Sequence, residues 1–328
     1  MIVTRTPLRI SFAGGGTDLS EFYEREYGAV LSTTIDKYVY VTVKQHSKLF
    51  GEPIRLNYSE TEQVKRVDEI KNDIARECLR LLKVEPPIYI STVSDVPTAS
   101  GLGSSSAYCV GLLNALHIYR GEHVSAGQLA EEAAHIEIDL LRRPIGKQDH
   151  FAAAYGGFNF IRFLPNGGVS VEPQRFMGDG QNNLFEHLMM FWTGIMRDSG
   201  VILSEQKTNI RHKSDELKAM RNHAHDLQAL IRNGFDPAEF GRVLDHTWQL
   251  KRRLATTITT DSINGWYQRG IEAGALGGKL CGAGGGGFLL FVVPPDCQTG
   301  VRRALGEMPE LSVKCEPRGS RVLTPYLE

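Results

Sequence analysis

Four clusters in this 328-residue chain have residue types and spacings that suit chemistry. The richest is Pro97-Thr98-Ala99-Ser100-Gly101-Leu102-Gly103-Ser104-Ser105-Ser106-Ala107, lying between a strand-like run (88–93) and a helix-like run (104–120). Glycines and serines at a helix start present bare N–H groups and hydroxyls where the helix dipole favours an anion. A phosphate fits that chemistry, although serines there also serve as plain helix caps. The second cluster is Pro7-Leu8-Arg9-Ile10-Ser11-Phe12-Ala13-Gly14-Gly15-Gly16-Thr17-Asp18. An arginine alternates into an apolar strand that runs into three glycines and an aspartate. Asp18 either caps the next helix or accepts hydroxyl hydrogens from a ligand laid against bare backbone.

The third cluster is Gly146-Lys147-Gln148-Asp149-His150, followed by the apolar run 151–157. An aspartate beside buried sequence needs a partner. His150 reads as a hydrogen-bonded structural residue. The fourth cluster, Gly282 to Gly287, has five glycines in six residues, so another backbone or a ligand must come very close. Other phosphate chemistries are disfavoured. No glycine stands where a Walker motif needs one before Gly278-Lys279, and Leu280 follows instead of Ser or Thr. The chain has no HRD or DFG, and no GxGxxG stands at a strand-to-helix turn.

The elements that must hold these clusters emerge from pattern. Val39 to Val43 and Ile88 to Val93 read as strands. The stripe Ile70, Ile74, Leu81, Leu82 predicts a helix over 68–84, capped by Asp68 and ended by Pro86-Pro87. A helix over 104–120 stops at Gly121. Ser125 and Gln128 form a capping box for a helix whose buried stripe is Leu129, Ala133, Ile136 and Leu140, ended by Pro144. Glu137 borders that stripe, and a carboxylate there needs a reason. The pattern loosens at Pro165-Asn166-Gly167-Gly168, which predicts a boundary between domains 1–165 and 166–328. The second half holds a buried strand, 188–192, a helix opened by Asp236-Pro237, and a strand at 288–293. Strands and helices interleave throughout, which gives α/β or α+β.

Composition sets the outer bounds. With 41% hydrophobic and 23% charged residues and a net charge of −1, the chain is globular, and nothing global draws it to nucleic acid or a membrane. The strongest apolar run, 288–293, is far too short to span a bilayer, and Met1 to Pro7 lacks a signal-peptide core. Five cysteines without a CxxC pair argue against a zinc or redox motif and predict buried thiols in a reducing cytoplasm.

In this order, the four clusters resemble the GHMP kinase superfamily of galactose, homoserine, mevalonate and phosphomevalonate kinases. The resemblance runs from Pro7 to Gly287. The second and third clusters look most like the D-glycero-α-D-manno-heptose 7-phosphate kinase branch. It implies an α+β fold of two domains, the first like ribosomal protein S5 domain 2 and the second ferredoxin-like, with the site between them. It also implies ATP and Mg²⁺ as cofactors and a small sugar or sugar phosphate as partner; a homodimer is left open. By position, Asp149 matches the base and Arg9 the arginine beside it. Pro97, Ser100, Gly101, Leu102, Gly103, Ser104, Ser105 and Ser106 match the nucleotide loop, and Ser105 with Glu137 the metal ligands. Gly15, Gly16, Thr17, Asp18, Lys147, Asp149, Gly284 and Gly285 match the substrate side. Galactokinases have Glu-His at Gly15-Gly16, and the loss leaves room for a larger sugar. A phosphate on that sugar would need cations, for which Arg142, Arg143, Lys147, Lys207 and Arg211 are candidates. Alternatives are a kinase for another free sugar (L-fucose, mannose or galactose type) and a non-catalytic sugar/ATP sensor of the same fold.

Overall fold

The computed structural model describes residues 1–197 and 199–323, in which eleven strands form two sheets. The strands are β1 (Ile2–Ala13), β2 (Gly28–Gln45), β3 (Ile54–Asn57), β4 (Thr61–Val64), β5 (Ile88–Ser94), β6 (Phe158–Phe163), β7 (Val169–Pro173), β8 (Leu188–Trp192), β9 (Gly277–Leu280), β10 (Phe288–Val292) and β11 (Arg321–Val322). β2 organises the first sheet. Its β-branched residues suit a strand buried on both faces. It pairs antiparallel with β1 from Ile2↔Val43 to Ala13↔Leu31, with β6 at its near end and with β5 at its far end. β3 and β4 extend the sheet beyond β5, β7 pairs with β6, and β11 covers the free edge of β1. The second sheet is the antiparallel trio β8-β10-β9, with every residue of β10 buried.

Helices at Ser104–Tyr119 and Gln148–Tyr155 pack on β1 and β2, and the helix Ala126–Ala134 packs against both. The helix expected from Asp68 starts later, at Asp73, with the Asn72 side chain accepting the Ala75 N–H at 3.0 Å. The cause is Glu62, which is buried and accepts the N–H groups of Lys71 (2.6 Å) and Asn72 (2.9 Å). That holds the chain extended at Ile70, and Asp68 pairs with Arg80 instead. Ser125 caps its helix by accepting the Gln128 N–H at 3.1 Å, but the Gln128 side chain reaches forward to Glu132, so the return half of the capping box is absent.

That helix runs on into a π turn, His135–Leu140, in which the Leu141 N–H donates to the Ile136 carbonyl five residues back at 2.9 Å. The extra residue in the turn rotates the side chains after it about the helix axis. Leu140, expected in the buried stripe, is 45% exposed, and Glu137 is fully buried.

Pro165–Gly168 is the turn of the β6–β7 hairpin, closed by the Leu164 N–H on the Gly168 carbonyl at 2.8 Å. The loosened pattern there marks a hairpin, and the chain stays in the first sheet to Pro173. The seam between sheets therefore falls after residue 173, not at 165/166. It is not a clean division either, since the helix Ser214–Asn233 packs on β1 and β2. Three of the five cysteines, Cys78, Cys109 and Cys281, are buried, and all five are free thiols. Among the described residues no helix is long and apolar enough to cross a membrane.

Candidate active site

A cleft of about 480 Å³ opens where the second sheet meets β1 and the start of the Ser104–Tyr119 helix. Two glycine turns form part of its wall, backbone against backbone. A Cβ on Gly101 would stand 2.5 Å from the Cys281 carbonyl oxygen, and one on Gly282 2.4 Å from the Gly101 Cα. Both residues also lie in the left-handed region, at φ +82° and +74°. Only glycine meets both demands, so the fourth cluster's close approach is to the first cluster.

The turn delivers the helix N-terminus to the cleft. Gly103 stands at the N-cap position and supplies no side-chain cap, so the first N–H groups remain available. Gly101, Gly103, Ser104, Ser105 and Ser106 line the cleft. The other three residues expected in the nucleotide loop lie outside its lining. Ser100 and Leu102 are buried behind it, with the Leu102 carbonyl accepting the Arg9 N–H at 3.0 Å, and Pro97 is exposed.

Arg9 and Asp149 meet across the cleft in a two-pronged pair. Arg9 Nε donates to Asp149 Oδ1 and Nη2 to Oδ2, both at 2.8 Å, while Nη1 donates to the Gly101 carbonyl at 2.7 Å. One guanidinium thus orients the carboxylate and ties it to the glycine turn. Asp149 keeps about a quarter of its side chain exposed to the cleft.

Glu137 stands at the serine end. The π turn buries it, and its two oxygens have separate partners. Oε2 faces His150 Nε2 at 2.9 Å, which bears out His150 as structural. Oε1 accepts from Ser105 Oγ at 2.6 Å and from Arg143 Nη1 at 2.7 Å. Burial acts to raise this carboxyl, but His150's hydrogen bond and charge, with the Ser105 hydroxyl, outweigh it and hold it down at about 2. Among the described residues no group of three or more His, Cys, Asp or Glu could hold a metal. A hydroxyl and an ionised carboxylate are nonetheless the hard-oxygen pair that a hydrated Mg²⁺ takes from a protein, so Ser105 and Glu137 fit that ion.

On the opposite wall Asp18 is buried. Its Oδ1 accepts the Gly16 N–H at 2.9 Å, and Oδ2 accepts the Gln148 side-chain amide at 3.0 Å. Burial, then the charge of Asp149, pushes its carboxyl up. Beside it, Ser11 Oγ and Gln148 Oε1 are buried without a partner. A Cβ at Gly15 would rest in ordinary contact with Gln148 at 3.7 Å and Ser11 at 3.9 Å, so it would fit there without a clash. At Gly16 the space is filled, since a Cβ would stand 2.3 Å from Gln206 Nε2.

Three residues expected on the substrate side lie outside the lining. Thr17 is buried and ties the turn together, donating to the Gly14 carbonyl at 2.7 Å and accepting the Ala29 N–H at 3.0 Å. Lys147 points to the β6–β7 turn, donating to the Gly167 carbonyl at 2.9 Å. Gly285 packs on the chain at Ile258, while Gly284 does line the cleft. Of the five cations considered for a substrate phosphate, Arg143 alone lines it; Lys207, for one, pairs with Glu21 at 2.6 Å.

The cleft carries instead Arg197, Lys251 and Lys279, which sequence reasoning missed. Lys251 donates to the Gly282 carbonyl, and Lys279 to the Ser11 (2.7 Å) and Phe12 (3.0 Å) carbonyls. Burial pushes Lys251 down to about 8 and Lys279 to about 7, with Lys251's charge adding to the second shift. A signal existed, because Lys251 follows Leu244, Thr247 and Trp248 on the buried face of its helix. This is the same anomaly that singled out Glu137.

Residues 67–157 match the GHMP kinases N terminal domain, and residues 225–311 the GHMP kinases C terminal domain. A D-glycero-alpha-D-manno-heptose 7-phosphate kinase from Campylobacter jejuni is 31% identical over 317 residues, covering 93% of each chain. The crystal structure of a D-glycero-D-manno-heptose 1-phosphate kinase from Bacteroides thetaiotaomicron superposes with a TM-score of 0.80 at 25% identity, covering 100% of each chain. Lactococcus lactis galactokinase, 17% identical, shares the fold with a TM-score of 0.74 over 98% of this chain and 95% of its own. With both of its domains matched and the glycine turns, Asp149 and Glu137 gathered in one cleft, the chain belongs to the GHMP kinase family.

Proposed function

We propose that this kinase transfers the γ-phosphoryl group of ATP to the anomeric hydroxyl of a heptose that already carries a phosphate, D-glycero-D-manno-heptose 7-phosphate, giving the 1,7-bisphosphate. The observation that carries the reading is Asp149, held by the Arg9 fork at 2.8 Å on each oxygen and bound through Arg9 to the glycine turn. The sugar hydroxyl oxygen attacks the γ-phosphorus, the bond to the bridging oxygen of ADP breaks, and the proton passes to an Asp149 oxygen. Each of those oxygens keeps a lone pair beyond its bond to Arg9.

The free N–H groups at Ser104 to Ser106 suit the nucleotide phosphates. Ser105 and Glu137 would hold Mg²⁺, which when bound neutralises phosphate charge and orients the transferred group. In this reaction class most of the rate comes from such positioning and electrostatics.

The sugar side is read from Asp18, Ser11 Oγ and Gln148 Oε1. Unsatisfied polar atoms on residues that line the cleft suit a polyol. The cleft is lined by three arginines (Arg9, Arg143, Arg197) and by two lysines (Lys251, Lys279) whose charged form burial disfavours, against three carboxylates (Asp18, Glu137, Asp149). A lining rich in arginine suits phosphate-bearing substrates. The two heptose-kinase relatives are named for substrates phosphorylated at opposite ends, C7 and C1. Anomeric transfer requires the first.

The test is a substrate panel with ATP: heptose 7-phosphate, heptose 1-phosphate, and free L-fucose, mannose and galactose, read by phosphorus NMR. A new anomeric phosphate from heptose 7-phosphate, at a rate well above the free sugars, is expected. Preference for a free sugar, or transfer to C7, would replace the substrate. ATP binding with no phosphorylated product from any sugar would favour the sensor.

A further inference from the structure

The reading of Ser105 and Glu137 as metal ligands leaves one contact unexplained, since a cation of the protein's own already holds both oxygens. Arg143 Nη1 lies 2.7 Å from Glu137 Oε1 and 2.8 Å from Ser105 Oγ. Those oxygens are themselves 2.6 Å apart. Glu137 Oε2 is committed to His150, so Oε1 is the oxygen a metal would take.

The chain goes to some trouble to place this guanidinium. Arg142 adopts a left-handed backbone at φ +55°, uncommon without glycine. The turn it makes returns the Arg143 N–H to the Glu137 carbonyl at 2.9 Å. Beyond the cleft the other prong, Nη2, is anchored on Asp73 at 2.8 and 3.0 Å. That anchor is 41% exposed and so weakly held in water.

We propose that Arg143 is the resident cation of the Ser105–Glu137 site and that a divalent ion binds there only after the guanidinium has left. This rests on the metal reading of that pair. A guanidinium and a divalent ion seated on oxygens 2.6 Å apart repel each other and compete for lone pairs, since Glu137 Oε1 already accepts from both Ser105 and Arg143. With Arg143 seated, the metal site is closed and the buried carboxylate is kept compensated. The phosphates of an arriving nucleotide tip the exchange twice, by bringing negative charge that favours the metal and by offering the freed guanidinium a new partner. Metal and nucleotide then bind as one event, and the free protein does not load an idle ion.

The sign of the test separates this role from a structural one. Mn²⁺ is titrated into nucleotide-free enzyme, with free Mn²⁺ followed by electron paramagnetic resonance. An arginine that merely supported the site would weaken Mn²⁺ binding when removed. A resident cation lowers apparent affinity by the fraction of molecules it closes, so Arg143→Ala should bind Mn²⁺ at least about tenfold more tightly than wild type. Asp73→Asn, which loosens the anchor from outside the cleft, should fall between, and it decides the matter if Arg143→Ala does not fold. Adding Glu137→Gln to Arg143→Ala should abolish the gain. No gain in either single variant overturns the proposal. If Glu137→Gln removes Mn²⁺ binding from wild type while Arg143→Ala gains nothing, the metal reading stands and the proposal alone falls. A gain that survives Glu137→Gln places the ion elsewhere, and both fall.

Discussion

Two carboxylates of the cleft show how burial divides labour among residues of similar chemistry. Asp149 stays part-exposed with a fork on both oxygens, while Glu137 is fully enclosed among a histidine, a hydroxyl and a guanidinium. Asp149→Asn keeps the shape and removes the proton acceptor. It should retain ATP binding by calorimetry and lose turnover by at least about a hundredfold, the usual scale for a positioned acid or base; undiminished turnover removes Asp149 from the chemistry. Lys279 makes a different prediction. Folded, it titrates near 7; unfolded, it returns to the ordinary 10.5. Between those values the unfolded chain holds a proton that the folded chain has lost, so this residue makes stability rise with pH across the window. Urea midpoints at pH 7 and pH 9 should differ less in Lys279→Met than in wild type, and parallel shifts in the two proteins would sink the assignment. Arg9, Asp149, Ser105, Glu137 and Asp18 were legible in the sequence because each breaks a local pattern or sits in a glycine-rich turn. Thr17 and Lys147 were misplaced because a motif gives proximity along the chain and not the direction of a side chain.

Strands and most helices were legible because their signals are local. Alternation at Val39 to Val43, the Asp236-Pro237 start and the helix start at Ser104 need no tertiary information, and each appears where expected. The departures have non-local causes. Asp68 loses its capping role because Glu62, from another strand, pulls Lys71 and Asn72 out of helical geometry. Asn72→Ala should therefore lower stability by about 1 kcal/mol, as an N-cap does, and Asp68→Ala should leave the urea midpoint unmoved because its ion pair is exposed. The reverse pattern would restore the longer helix. Leu140 leaves the buried stripe because the helix widens to a π turn that periodicity, tuned to 3.6 residues, does not register.

At the level of the molecule, the two sheets do not define two independent cores. The larger apolar cluster joins Leu8, Ile10 and Phe12 of β1 to Leu227, Phe240, Leu290 and Val292 of the second half. Lys279 adds a polar tie from β9 to the carbonyls of β1. Unfolding in urea should give one cooperative transition with coincident fluorescence and circular dichroism. Two separated transitions would show that the halves hold together less tightly than their contacts imply. The composition boundary at 165 misled because a Pro-Asn-Gly-Gly hairpin turn and a linker use the same residues, and only the pairing of β6 with β7 tells them apart. The π turn at 135–140 has a consequence on this scale. It exists by virtue of one residue of contour length, and removing a single residue between Ala134 and Glu137 would let the helix relax to ordinary pitch and swing the carboxylate by about 100°. Glu137 would part from Ser105 and His150, and most of the scaffold, with its glycine turns, would stand. In this architecture the placement of that carboxylate hangs on a single codon.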